Sequence, residues 1–162
     1  MASIILLVGD TKEYVFKSIK VADANTENGS AVALGATTAD GKDVYTAVKP
    51  ATANLATASY LVAKEFIKYV GNEKIDELVC KANEIVKGVH CKIGQEVVVS
   101  NDAVKTGTPT VDYFVSPTNG EYKMAITSTQ TASVVAYRII AINEPIRVGQ
   151  RTITGFRMVR VA

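Results

Sequence analysis

Along this chain apolar side chains recur mostly at every second position, in short runs closed by clusters of turn-forming residues. That pattern predicts strands. Val15, Ile19 and Val21 share one strand face, while Lys20 points the other way. The run Asp23-Ala24-Asn25-Thr26-Glu27-Asn28-Gly29 predicts a loop. A strand from Ser30 to Leu34 ends at Gly35, and Asp40-Gly41 turns into a strand over 43–49 that Pro50 stops. Residues 51–58 read as an exposed connection. Over 60–70, Val62, Phe66, Tyr69 and Val70 have helical spacing, yet the abundance of β-formers favours a strand. Asn72 can cap the one predicted helix, about 73–83, whose inner stripe is Ile75, Leu78, Val79 and Ala82.

Downstream the period returns to two. Strands are predicted from Val89, over 96–100 and over 111–115. The cleanest alternation follows, with Tyr122, Met124 and Ile126 facing in and Glu121 and Lys123 facing out. Val134 to Ile142 is apolar on both faces except at Arg138, which predicts a central strand. Ile153 to Val161 is the last strand. The expected fold is mainly β: an antiparallel sandwich or barrel with one short helix. Residues 1–22 form an N-terminal arm or first strands, and 23–162 a single β-rich domain.

Composition sharpens this picture. The 162 residues include 22 Val, 13 Ile and 16 Thr against 6 Leu, a bias towards side chains that suit a pleated surface. With 48% hydrophobic residues the chain can build a core, and a net charge of +2 is too small for bulk electrostatics to drive nucleic-acid or membrane binding. No apolar run approaches the roughly 20 residues of a membrane span. Ile4-Ile5-Leu6-Leu7-Val8 is too short for a secretory signal, which needs about 7–15 apolar residues after a basic start. That points to a cytoplasmic origin.

Little in the sequence resembles catalytic machinery. Cys80, His90 and Cys91 give three candidate metal ligands where zinc takes four, so the cysteines read as small apolar residues. His90 and Cys91 are adjacent and would point to opposite strand faces, which argues against a Cys–His dyad. No glycine-rich phosphate loop is present, and the Asp76-Glu77 pair falls on a solvated helix turn. The expectation is a protein with no enzyme activity, cofactor or metal.

Charge placement is uneven. All five arginines lie at 138 and beyond, and all 13 lysines lie before them. Two readings stand: a docking face for an acidic protein surface, or solvated edge-strand charges that discourage aggregation. On the last strand Arg157 shares a face with Val159 and Val161, and Arg160 with Phe156 and Met158. Such mixing of arginine with apolar surface suits an interface, and makes Arg147, Arg151, Arg157 and Arg160 candidates. The run Ile4, Ile5, Leu6, Leu7 and Val8 is a second candidate. It is either a strand that docks on a neighbouring subunit or an ordinary first strand of its own sheet.

The order of segments also carries a likeness. It comprises Glu27-Asn28-Gly29-Ser30-Ala31-Val32-Ala33-Leu34-Gly35, then Asp43-Val44-Tyr45 closing at Pro50, then Leu61-Val62-Ala63 and Gly94-Gln95-Glu96-Val97-Val98-Val99-Ser100. Across about 20–142 this series resembles the small head-decoration proteins of tailed bacteriophages of Gram-positive hosts. Ile93-Gly94-Gln95 stands where that pattern often has Lys-Gly-Asp, and the arginine-rich end after Gly149 departs from it. The resemblance implies a structural virion protein on the capsid exterior, present in the host cytoplasm before assembly. It would bind the major capsid protein and stabilise contacts between its subunits, with self-association, for instance as a trimer, as an option. Neither nucleic acid nor membrane is an expected partner. The alternatives are another virion module, such as a tail-tube or receptor-binding piece, and an unrelated small β ligand-binding domain.

Overall fold

The computed structural model describes residues 3–9, 13–64, 79–148 and 151–162, and among these the chain forms twelve strands. The first, β1 (Ile5–Leu7), belongs to a large open sheet. The next five close into a barrel: β2 (Val15–Val21), β3 (Ala31–Thr37), β4 (Val44–Val48), β5 (Tyr60–Ala63) and β6 (Glu84–His90). Around the barrel they run β2-β4-β3-β5-β6, with β6 returning to β2; the β2–β4 pairing is parallel and the others antiparallel. The remainder are β7 (Glu96–Ser100), β8 (Val104–Thr106), β9 (Phe114–Ser116), β10 (Met124–Thr127), β11 (Tyr137–Val148) and β12 (Arg151–Arg160). With β1 they form a seven-stranded sheet in the order β1-β7-β12-β11-β9-β10-β8.

Period-two alternation produces three apolar layers from these two sheets. Ile19, Val21, Val32, Ala47, Val62 and Val86 fill the barrel. Their neighbours on the same strands, Ala31, Leu61 and Val89, point outwards and pack on Val97, Val99, Tyr137, Ile139, Phe156 and Met158 of the large sheet. This second layer is the main core, and it joins barrel wall to sheet. The third cluster, Ile4, Val98 and Ile146, lies on the sheet face turned away from the barrel, because Val98 points opposite to Val97 and Val99. The chain is therefore mainly β, with two packed sheets as expected.

Several boundaries differ from the sequence reading. Residues 73–78 of the expected helix lie outside the described residues, as do 65–70 of the ambiguous run. Over 79–83 the chain is not helical. Cys80 forms a bridge with Thr26, donating its N–H to Thr26 and accepting from Asn25, and Asn83 takes a left-handed φ of 62°. Those bonds commit the Cys80 backbone sideways and leave none for a helical ladder. Tyr122 does not share a face with Met124: β10 starts at Met124, and Tyr122 packs with the barrel core instead.

Of the segment expected to be central, 134–142, only the part from Tyr137 is strand, and it begins a longer one. β11 runs on to Val148 through two irregularities, at Ile139/Ala141 and Ile142/Glu144, and pairs with β12 from Tyr137↔Arg160 to Val148↔Arg151. Both strands lie inside the sheet order. Arg138 and Arg157 are therefore not edge-strand charges, whereas Arg147 and Arg151 lie where β11 and β12 pair only with each other among the described residues. Residues 1–22 are likewise no detached arm among their described residues, since β1 pairs with β7 and β2 closes the barrel.

Candidate functional site

Two segments that the sequence separates by about 140 residues meet on the outer face of the large sheet. β1 pairs antiparallel with β7, Ile5 opposite Val99 and Leu7 opposite Val97, so it is a first strand of its own sheet. Ile5 and Leu7 turn towards the main core, and Ile4 towards the outer face. The segment is anchored at both ends. The Ser3 N–H and hydroxyl both donate to Glu27 Oε2, at 2.8 and 2.6 Å, and Lys123 reaches Glu27 Oε1 at 3.1 Å. Burial pushes the Glu27 carboxyl up, but the bonds from Ser3 and Lys123 outweigh it and hold the group below its ordinary range. At the other end the Tyr14 hydroxyl lies 2.7 Å from the Val8 carbonyl and 2.6 Å from that of Glu96. The opposite edge of β1 has no strand partner among the described residues, and Leu6 is 44% exposed.

The second segment is the distal half of the β11–β12 hairpin. β7 pairs with β12 only over Gly155 to Val159, so beyond Gly155 the two hairpin strands pair only with each other among the described residues. Ile146 is fully buried there against Ile4 and Val98, with Val8, Val148 and Ile153 at the margin.

The five arginines divide into two groups. Arg157 extends between Glu96 at 3.6 Å and Glu144 at 3.4 Å, and Arg138 lies 3.9 Å from Asp112. Arg160 turns inwards. Its Nε donates to the Ala162 oxygen at 3.0 Å, and its Nη1 donates to the Cys91 carbonyl and lies 3.1 Å from His90 Nε2. Arg147 and Arg151 are exposed, opposite Thr152 and Val148, and neither has an ion-pair partner among the described residues. The four candidate arginines are therefore not equivalent. Arg157 and Arg160 serve the chain's own fold, whereas Arg147 and Arg151 have no ion-pair partner among the described residues.

The histidine and cysteines are also placed. Cys80 lies in the barrel and Cys91 in the main core, each with its thiol pushed up to about 11 by burial, which leaves little thiolate at neutral pH. His90 packs on the Tyr60 ring, with its Nδ1 3.0 Å from the Ser59 hydroxyl. Among the described residues no three His, Cys, Asp or Glu side chains gather as a metal site. The contact of Arg160 with His90 was not visible in the sequence, since it joins strands of different sheets.

Compared with known proteins, the chain matches no family model, no curated protein and no solved structure.

Proposed function

We propose that this chain is a structural virion protein that binds the outside of a phage capsid and stabilises contacts between major-capsid subunits. It docks through the surface where β1 meets the distal β11–β12 hairpin. The observation that carries this reading is the half-exposed apolar margin of Val8, Val148 and Ile153 around the buried Ile4, Val98 and Ile146, flanked by the exposed Leu6 and by Arg147 and Arg151, which have no acidic partner among the described residues. Arginine beside apolar surface is a common anchor composition in protein interfaces. The choice of the major capsid protein as partner rests on the resemblance of the segment order to that of head-decoration proteins. A rigid β scaffold suits the task, because many identical weak contacts on a symmetric shell act together.

Capsids assembled without this chain, mixed with the purified protein and sedimented, should carry it into the pellet in a saturable manner. The amount bound should fall as salt is raised, because arginine contacts with an acidic surface are screened. Protein that stays in the supernatant at every concentration would remove this function.

A further inference from the structure

We infer that His90 and Arg160 form an acid-sensitive latch between the barrel and the large sheet. His90 ends β6, on the barrel, and Arg160 ends β12, in the sheet, so their contact spans the junction of the two layers. The contact favours a neutral ring. Nδ1 lies 3.0 Å from the Ser59 hydroxyl, while Arg160 Nη1 lies 3.1 Å from Nε2 and 3.3 Å from Nδ1. One guanidinium nitrogen so close to both ring nitrogens lies over the ring face and not along either in-plane lone pair, so its positive charge stands directly against the ring. A neutral ring accepts that contact while its Nδ1 stays within hydrogen-bond distance of the Ser59 hydroxyl. A second proton turns both nitrogens into donors and sets two cations against each other.

Among the described residues no carboxylate is bonded to the ring. The charged groups acting on the ring are Arg160 and Lys92, both cations, and burial also disfavours the imidazolium. From β5 it meets Tyr60 and, just before that strand, Ser59; its own segment adds Cys91. Facing Cys91 from β11 is the buried Tyr137. Of the acids on adjoining segments, Glu13 is exposed ahead of β2 and Glu96 is engaged by Arg157. Burial, then Arg160, then Lys92 hold the imidazole below its ordinary range. A basic group depressed in the fold contributes stability that is present above its unfolded value and is lost as pH falls. The window therefore opens near pH 6.5, the ordinary histidine value, and extends downwards.

The backbone around the latch should report its opening. Gly94 N–H donates to the Arg160 carbonyl at 2.8 Å, and Arg160 N–H to the Gln95 carbonyl at 3.0 Å, so the β6–β7 turn is bonded to the same residue that holds the ring. Because the chain has one histidine, its imidazole resonance can be followed without assignment. NMR titration of the full chain should give a midpoint below about 6.5. The Gly94 and Arg160 amide shifts should move with that same midpoint. The unfolding constant should rise by up to about tenfold per pH unit in that window, and His90→Gln should lack this rise. An imidazole midpoint at or above the ordinary value would overturn the proposal, as would amides that ignore it, or parent and variant that lose stability in parallel. Should His90→Gln not fold, the titration of the parent decides alone.

Discussion

Gly155 lies where an added Cβ would meet the carbonyl oxygen of Val99 at 2.4 Å and the Ile146 Cδ1 at 2.6 Å. β12 crosses β7 at this point, with Gly155 opposite Ser100, and the absence of a side chain lets Ile146 seat in the outer cluster. A methyl group here has to push against backbone, which cannot rotate away. Gly155→Ala should therefore destabilise the fold by about 1–3 kcal/mol, the usual range for overpacking. Gly94→Ala is the control: its φ is 90° but nothing lies within 4 Å, so only backbone strain of about 1–2 kcal/mol is expected. Urea unfolding of the two variants compares them directly, and a Gly155→Ala variant as stable as the parent would refute the close crossing.

Tyr14 clips the end of β1 to the start of β7 through its hydroxyl, between the Val8 and Glu96 carbonyls. Tyr14→Phe keeps the buried ring and removes only the bridge, at a cost of about 1 kcal/mol. Hydrogen exchange should quicken at Ile5 to Leu7 and stay slow in the barrel. Unchanged exchange along β1 would show that the clip does not hold the strand.

Glu27 ties Ser3 and Lys123 to the barrel–sheet junction, and its carboxyl is held below the ordinary range. An acid depressed in the folded state adds stability above its unfolded value, and that contribution disappears as pH falls through the folded value. Glu27→Gln should lower stability at pH 7 and flatten the acid limb below about pH 4.5, the ordinary range for such a carboxyl. Denaturant unfolding between pH 7 and pH 3 measures this, and parallel curves for parent and variant would contradict it.

The sequence pattern showed which side chains share a face, but not which strands become neighbours. The wealth of Val, Ile and Thr pointed to β structure, and the two-sided apolar run at 134–142 to a central strand, where β11 lies. What stayed hidden depends on long-range pairing. Lys123 carries a break that sends Tyr122 to the barrel and Met124 to the main core, and a period-two reading across it merges two cores into one. The arginines looked equivalent because charge along a strand does not reveal the acid opposite. Arg157 meets Glu96 only through the β12–β7 pairing. Nothing local distinguishes it from Arg147.

The proposed docking surface stands or falls on Arg147 and Arg151. Their replacement by glutamate reverses two exposed charges that have no ion-pair partner among the described residues, so the fold should keep its unfolding midpoint. Arg157→Ala serves as the comparison: it breaks contacts with Glu96 and Glu144 and should lower stability more than binding. The deciding measurement is occupancy of undecorated capsids by the Arg147→Glu, Arg151→Glu double variant, titrated beside the parent. The account predicts at least about a tenfold loss of affinity, since desolvated charge pairs across an interface contribute well above 1 kcal/mol. Occupancy equal to the parent's, with the variant folded, would contradict it.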